Sequence, residues 1–105
     1  MIVITRRTPN SITICGHANY AEYGKDIVCA AVSALWQTMI ASLDELADYH
    51  AEYEEWPLQI EFNFENLTEN AQLLIDSFFI GANGIAAAYP DYVTVTDRRG
   101  LSEHL

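Results

Sequence analysis

Basic side chains are scarce in this 105-residue chain: five Lys and Arg stand against fifteen Asp and Glu, for a formal net charge of −10. A surface of that sign repels phosphate backbones and anionic lipid headgroups, so nucleic-acid and membrane-surface binding are poor expectations. Long apolar runs are also lacking. No stretch approaches the roughly 20 consecutive apolar residues of a membrane span. The opening Met1-Ile-Val-Ile-Thr-Arg-Arg places apolar residues before basic ones, the reverse of a secretory signal. The expectation is a cytoplasmic protein. Only two cysteines occur. In that compartment both should remain thiols, so Cys15 and Cys29 need separate explanations. Cys15-x-His17 and Cys29 could be drawn together as metal ligands, but no C-x-x-C pair accompanies them and structural zinc usually takes four ligands in paired spacings. No metal or cofactor is expected. Gly24-Lys25 lacks the rest of a phosphate loop, with Asn19 and Asp26 where that motif needs glycine and a hydroxyl.

What is abundant is apolar residues, half of the chain, with 19 % charged. That balance argues against disorder. The length suits one domain spanning residues 1–105, large enough to bury roughly 60–70 % of its unfolded surface without disulfide or metal support.

Ile2 to Arg7 reads as a strand, Pro9-Asn10 as a turn and Ser11 to Cys15 as a returning strand. Gly16 to Lys25 (GHANYAEYGK) has no period and reads as a loop. From Asp26 to about Asp48 the apolar residues Val28, Val32, Leu35, Met39, Leu43 and Leu46 recur at spacings of three and four, the mark of a buried helix face. Trp36 and Ile40 widen that face, one side for the sheet and another for a second subunit. His50 to Glu55 is ambiguous. Leu58, Ile60, Phe62 and Phe64 alternate with polar residues as a half-buried strand does, with Trp56-Pro57 as the corner before it. Thr68 caps a helix predicted to run to about Ala88, with Gly81 and Gly84 read as sites of close backbone packing. Tyr92 to Thr96 is a last strand, with Val93 and Val95 on one face. The expected class is α+β, a small mixed or antiparallel sheet with two long helices packed on one face.

The stretch that carries chemistry is Gly16-His17-Ala18 followed by Asp26-Ile-Val-Cys29-Ala-Ala-Val-Ser33. If Asp26 caps the helix, Cys29 sits in its first turn, where unpaired backbone N–H groups favour thiolate over thiol. The helix end is worth about 0.3–1 kcal/mol when exposed and up to ~2 kcal/mol when partly buried. That is too little alone to make a thiol a strong nucleophile at neutral pH. An imidazolium beside it is needed, and His17 supplies one if the loop folds back over the helix start. The N–H groups near Cys29 to Ala31 are candidate donors to an oxyanion. Asp26 is read foremost as the helix cap, with a third catalytic member orienting His17 as its other reading. Ser33, one turn after Cys29, either packs against the site or bonds near it. Cys15, at a strand end, reads as structural; His50 and His104 have no evident partners. Tyr20 and Tyr23, in the loop, contact a peptide or shield the site. Judged by residue type alone, a cysteine near an alanine-rich helix start is more often a small core residue than a nucleophile.

The stretch GHANYAEYGKDIVCAAVSAL, residues 16–35, resembles the ribosomal-processing cysteine protease family of Firmicutes and related bacteria. Weaker similarity extends through the opening hairpin, the second helix with Gly81, and Tyr89-Pro90-Asp91-Tyr92-Val93. The resemblance implies an endopeptidase that removes a short N-terminal extension from a large-subunit ribosomal protein (L-twenty-seven). By position, His17 matches the family's catalytic histidine and Cys29 its nucleophile, with Asp26 and Ser33 at positions the motif shares. It also implies a homodimer and a mobile loop that closes over bound peptide, with Gly16 and Gly24 as hinges. Two positions depart from the pattern. Asn19 stands in place of the usual Gly, and Trp36 in place of a smaller residue. Family members also occur in phage genomes, where a capsid or scaffold protein would be the target. The rival class is a non-catalytic dimeric module that binds at the ribosome through the same acidic groove.

Overall fold

The computed structural model describes residues 1–8, 10–22 and 25–97. Seven elements follow one another: β1 (Ile2–Thr8), β2 (Ser11–Cys15), α1 (Ile27–Ala47), β3 (Glu52–Trp56), β4 (Gln59–Asn63), α2 (Glu69–Ala88) and β5 (Val93–Asp97). The strands form one mixed sheet in the order β3-β4-β2-β1-β5. All neighbouring pairs are antiparallel except β1 with β5. The parallel pair requires a crossover, and the chain between the two strands supplies both helices.

Period-two alternation decides which face the helices cover. Ile2 and Ile4 of β1, Ile12 and Ile14 of β2, Phe62 of β4 and Val93 of β5 are all buried. They share one core with Val28, Val32, Met39 and Leu43 of α1 and with Ala71, Ile75, Phe78, Phe79 and Ala82 of α2. Among the described residues nothing covers the opposite face, where Thr5, Thr13 and Glu61 stand in register. The α+β expectation holds, with a mixed sheet.

Both helices end as their sequences direct. Asp26 caps α1 through its side chain, and Asp48 closes it in the left-handed region at φ 49°. The Thr68 hydroxyl accepts from the Ala71 N–H at 3.1 Å to start α2. Gly81 lets the helices meet: a Cβ there would lie 3.0 and 3.1 Å from the Leu35 methyls. Gly84 has nothing within 4 Å of the same construction, so the packing reason expected for it does not apply.

Four other expectations change. Leu46 is exposed, on the outer side of the last turn of α1, where Leu43 and Ala47 take the core-facing positions. Leu58 belongs to the β3–β4 turn with φ 67° and an exposed side chain, so inward alternation begins at Ile60. The ambiguous segment is an edge strand, β3, exposed at every position and therefore without a detectable period. Although no uninterrupted apolar run exists, α1 and α2 do reach the length and mean hydropathy of a membrane-crossing helix, at 1.5 and 1.3. Here each turns an apolar face onto the sheet and onto the other helix instead. Tyr23, Gly24 and His104 lie outside the described residues.

Arg6 has a role beyond the strand expected over Ile2 to Arg7. Alternation places it on the inner face with Ile2 and Ile4, and it is 1 % exposed. Its guanidinium donates to Asp97 at 3.0 and 2.7 Å and to Asp76 at 2.9 Å. The group lies 4.1 Å from the centroid of the Phe79 ring. Burial works against its charge, but the bonds to Asp97 and Asp76 outweigh that, and its pKa is raised.

Candidate active site

The end of the sheet away from Arg6 carries the candidate chemistry. β2 stops at Cys15, and Gly16 turns the chain with φ +89° while its N–H donates to the Leu58 carbonyl at 2.7 Å. Glycine is required twice over here. The backbone is left-handed, and a Cβ would run into the carbonyl oxygen of Met1. This turn delivers His17 to the mouth of a cleft and sends Ala18 inward, where it is buried. The Ala18 N–H points at the Cys29 sulfur, 3.4 Å away.

Asp26 fixes the rest. One carboxylate oxygen accepts from Val28 N at 3.0 Å and Cys29 N at 2.9 Å, holding the first turn of α1. The other accepts from Tyr20 N at 3.0 Å and Ala21 N at 3.5 Å, holding the loop. The Cys29 N–H keeps this carboxyl below the usual carboxylate range, opposed by some desolvation and reinforced by Tyr20, Ala21 and Val28. The capping expectation is met. With both oxygens engaged by backbone, Asp26 is not orienting His17 in this arrangement. Asn19 adopts φ 58°, the left-handed geometry that asparagine tolerates in place of glycine. Tyr20 is braced edge-on by the Tyr89 and Tyr92 rings, at 5.5 and 5.1 Å between centroids.

Cys29 is half-buried, so its sulfur is reachable from the cleft. The cleft has a volume of about 540 Å³, and His17, Asp26, Cys29 and Ser33 all line it. The structure therefore brings these four sequence-predicted residues together with Gly16, while the ring of Tyr20 packs on Tyr89 and Tyr92 instead of lining the cleft. It does not provide the expected oxyanion donors at the helix start. The Cys29 N–H is bonded to the Asp26 side chain and the Ala30 N–H to the Asp26 carbonyl at 3.1 Å. Capping the helix consumes the groups that were to serve. The donor already directed at the sulfur is the Ala18 N–H. Cys15 is opposite Val3 and Gln59 on the uncovered face of the sheet, apart from the chemistry.

Sequence reasoning missed the far wall of the cleft: Glu55, Trp56, Leu58, Gln59 and Ile60 of the β3–β4 hairpin, facing Trp36. Trp36 stands against Tyr53 and Phe62, each 5.8 Å between ring centroids. It thus binds α1 to the sheet and closes the cleft at one end. An alternating signal in β4 was visible, but only the long-range pairing shows which residues share the cleft. Among the described residues, no group of three or more His, Cys, Asp and Glu side chains is placed to hold a metal ion.

The family model for the cysteine protease Prp matches residues 1–94. The ribosomal processing cysteine protease Prp of Bacillus subtilis is 31 % identical over 96 residues, covering 82 % of this chain and 83 % of that protein. The structure of Prp from S. aureus with a covalently linked product peptide superimposes with a TM-score of 0.86 at 20 % identity, covering 92 % and 99 % of the two chains. A Streptococcus mutans protein of known structure is 31 % identical with a TM-score of 0.77, covering 93 % of this chain and 92 % of its own.

Proposed function

This chain belongs to the Prp cysteine protease family, and from that premise we propose that it removes a short N-terminal extension from a large-subunit ribosomal protein (L-twenty-seven), with Cys29 as nucleophile and His17 as base. Membership makes it a cysteine peptidase, which sets aside the non-catalytic binding module. The observation that carries the residue assignment is the half-buried Cys29 sulfur opening into the cleft that His17 also lines.

The steps follow from the chemistry of a thiol and an imidazole. His17 takes the Cys29 proton, and the sulfur attacks the scissile carbonyl to form a C–S bond. As the carbonyl oxygen gains charge, the Ala18 N–H is the donor nearest the reacting sulfur, in place of the capped helix N–H groups. The His17 imidazolium then protonates the departing amine, and the C–N bond breaks. Water, deprotonated by His17, hydrolyses the thioester and restores the thiol. His17 lies exposed at the mouth of the cleft that Cys29 also lines, where a bound peptide would cover both. Ser33 lines the cleft one turn from the sulfur and packs against the bound peptide.

The curated relative named for ribosomal processing supports the substrate. The net charge of −10 suits a basic ribosomal protein, whose approach it would accelerate in a salt-dependent way. Two free thiols fit a cytoplasmic enzyme. Homodimer formation is supported by the outer surface of the helix layer. Residues 27–43 carry no charge, and 70–88 carry only Asp76, which is bonded to Arg6. Leu73 and Ile80 stand out from α2. Replacing Ile80 with Glu should shift the sedimentation coefficient to that of a monomer.

Mass spectrometry of the extended ribosomal protein, incubated with each form of the enzyme, tests the function. The wild-type chain removes the extension. Cys29→Ala and His17→Ala leave it in place while retaining the circular-dichroism spectrum of the parent. Processing by Cys29→Ala at the wild-type rate would remove the assignment.

A further inference from the structure

Taking Cys29 as the reacting group, we propose that Glu55 reads substrate charge: its carboxylate pairs with a Lys or Arg side chain of the bound peptide within a few residues of the scissile bond. The described residues lining the cleft include two carboxylates. Asp26 is engaged by four backbone N–H groups. Glu55 is exposed, and its side chain has no ion pair or hydrogen bond to another described residue.

The register places it. Glu55 is opposite Ile60 and Ile60 is opposite Ile14, all on the helix-facing side, one rung from the Cys15–Gln59–Trp56 end of the sheet. Trp36 lies seven residues beyond Cys29, about 10 Å along the helix axis. It meets Tyr53, two residues before Glu55 on the same face of β3. Glu55 therefore lies between the levels of Cys29 and Trp36, within reach of a few extended residues at about 3.3 Å each.

Apart from the uncharged Gln59, the wall around Glu55 is formed by Trp56, Leu58 and Ile60, with Trp36 facing it. A peptide seated against it displaces water from the carboxylate. A neutral neighbour leaves the anion poorly solvated, an acidic one adds repulsion, and a cationic one restores what the water provided. Selection comes from the penalty as much as from the attraction.

The test uses peptides of one cleaved sequence carrying Lys, norleucine or Glu at each position flanking the scissile bond. Their kcat/KM values are measured with wild type, Glu55→Gln and Glu55→Arg. Glu55 is on an exposed edge strand, and its replacement should leave the fold unchanged. At one position the wild-type enzyme favours Lys over norleucine about two- to fivefold, the size of a solvent-accessible ion pair. The difference appears in KM and shrinks with added salt. Glu55→Gln loses the preference, and Glu55→Arg turns it toward Glu. The same ordering should appear in peptide binding to Cys29→Ala, followed by fluorescence anisotropy. An undiminished Lys preference in Glu55→Gln, or indifference to charge at every position while cleavage persists, overturns the role of Glu55 and leaves Cys29 standing. Cleavage that survives Cys29→Ala overturns the placement of the reaction, and the role of Glu55 with it.

Discussion

At one end of the sheet Arg6 is sealed beneath α2, with both carboxylates it needs and an aromatic ring against its face. At the other end His17 and Glu55 stand exposed around a half-buried thiol. The same five strands carry both ends. A buried charge has to be matched within the fold, because removal from water is otherwise too costly. Groups kept for a substrate have to remain unmatched until it arrives. The difference explains why the buried charge of Arg6 is matched by two carboxylates, while at the candidate site the described side-chain hydrogen bonds centre on the Asp26 carboxylate.

Substitutions can break this comparison from either side. Arg6→Met should have the largest effect on stability, about 3–5 kcal/mol in urea unfolding, because it removes the buried guanidinium that bonds to both Asp76 and Asp97. Both carboxylates are about one-third exposed, so water takes up part of the loss and the value should fall toward the lower end. The folded fraction of the variant should still alkylate Cys29 at the parental rate. Next is Gly16→Ala, which forces a side chain onto the Met1 carbonyl at a left-handed φ. A loss of more than about 1 kcal/mol is expected, and peptide cleavage should fall with it, since this turn delivers His17.

The helical glycines form a matched pair with a smaller effect. Gly84→Ala should stabilise by about 0.5–1 kcal/mol, the ordinary helix-propensity gain, because its Cβ meets nothing. Gly81→Ala gains less or loses stability, because the Leu35 methyls must move. Thermal unfolding of the two variants side by side measures the difference. The smallest effect at neutral pH comes from protonating Asp26. Its folded-state pKa is lowered, so the folded chain binds that proton less readily than the unfolded chain. The contribution is complete above the ordinary aspartate value of about 3.9 and is lost as pH falls through the lowered folded value. Protection factors of the Tyr20 and Cys29 amides, which are corrected for the intrinsic pH dependence of exchange, should fall only in that acid range, and Asp26→Asn should flatten the dependence.

Much of the fold was legible where the physics is local. The three- and four-residue spacing of Val28, Val32, Met39 and Leu43 revealed α1, and the alternation of Ile60, Phe62 and Phe64 revealed β4. Asp26 announced its own cap. β3 had no such signal, because a strand exposed on both faces shows no alternation. Arg6 could have been placed by counting from Ile4, but its partners lie 70 and 91 residues away. At the site, Cys29 and His17 could each be picked out from the sequence, and both line the cleft. The Glu55–Trp56 wall could not, since it reaches the cleft only through strand pairing. The oxyanion expectation failed for a local reason: the residue that caps the helix also uses up its first donors.

The central claim is that the Cys29 sulfur is made reactive by its surroundings and by His17, and competitive alkylation tests it most directly. With limiting iodoacetamide at neutral pH, peptide mass spectrometry should find Cys29 modified at least about tenfold faster than Cys15. Most of that advantage should disappear in His17→Ala. Equal, slow modification of both cysteines, unchanged by loss of His17, would contradict the account.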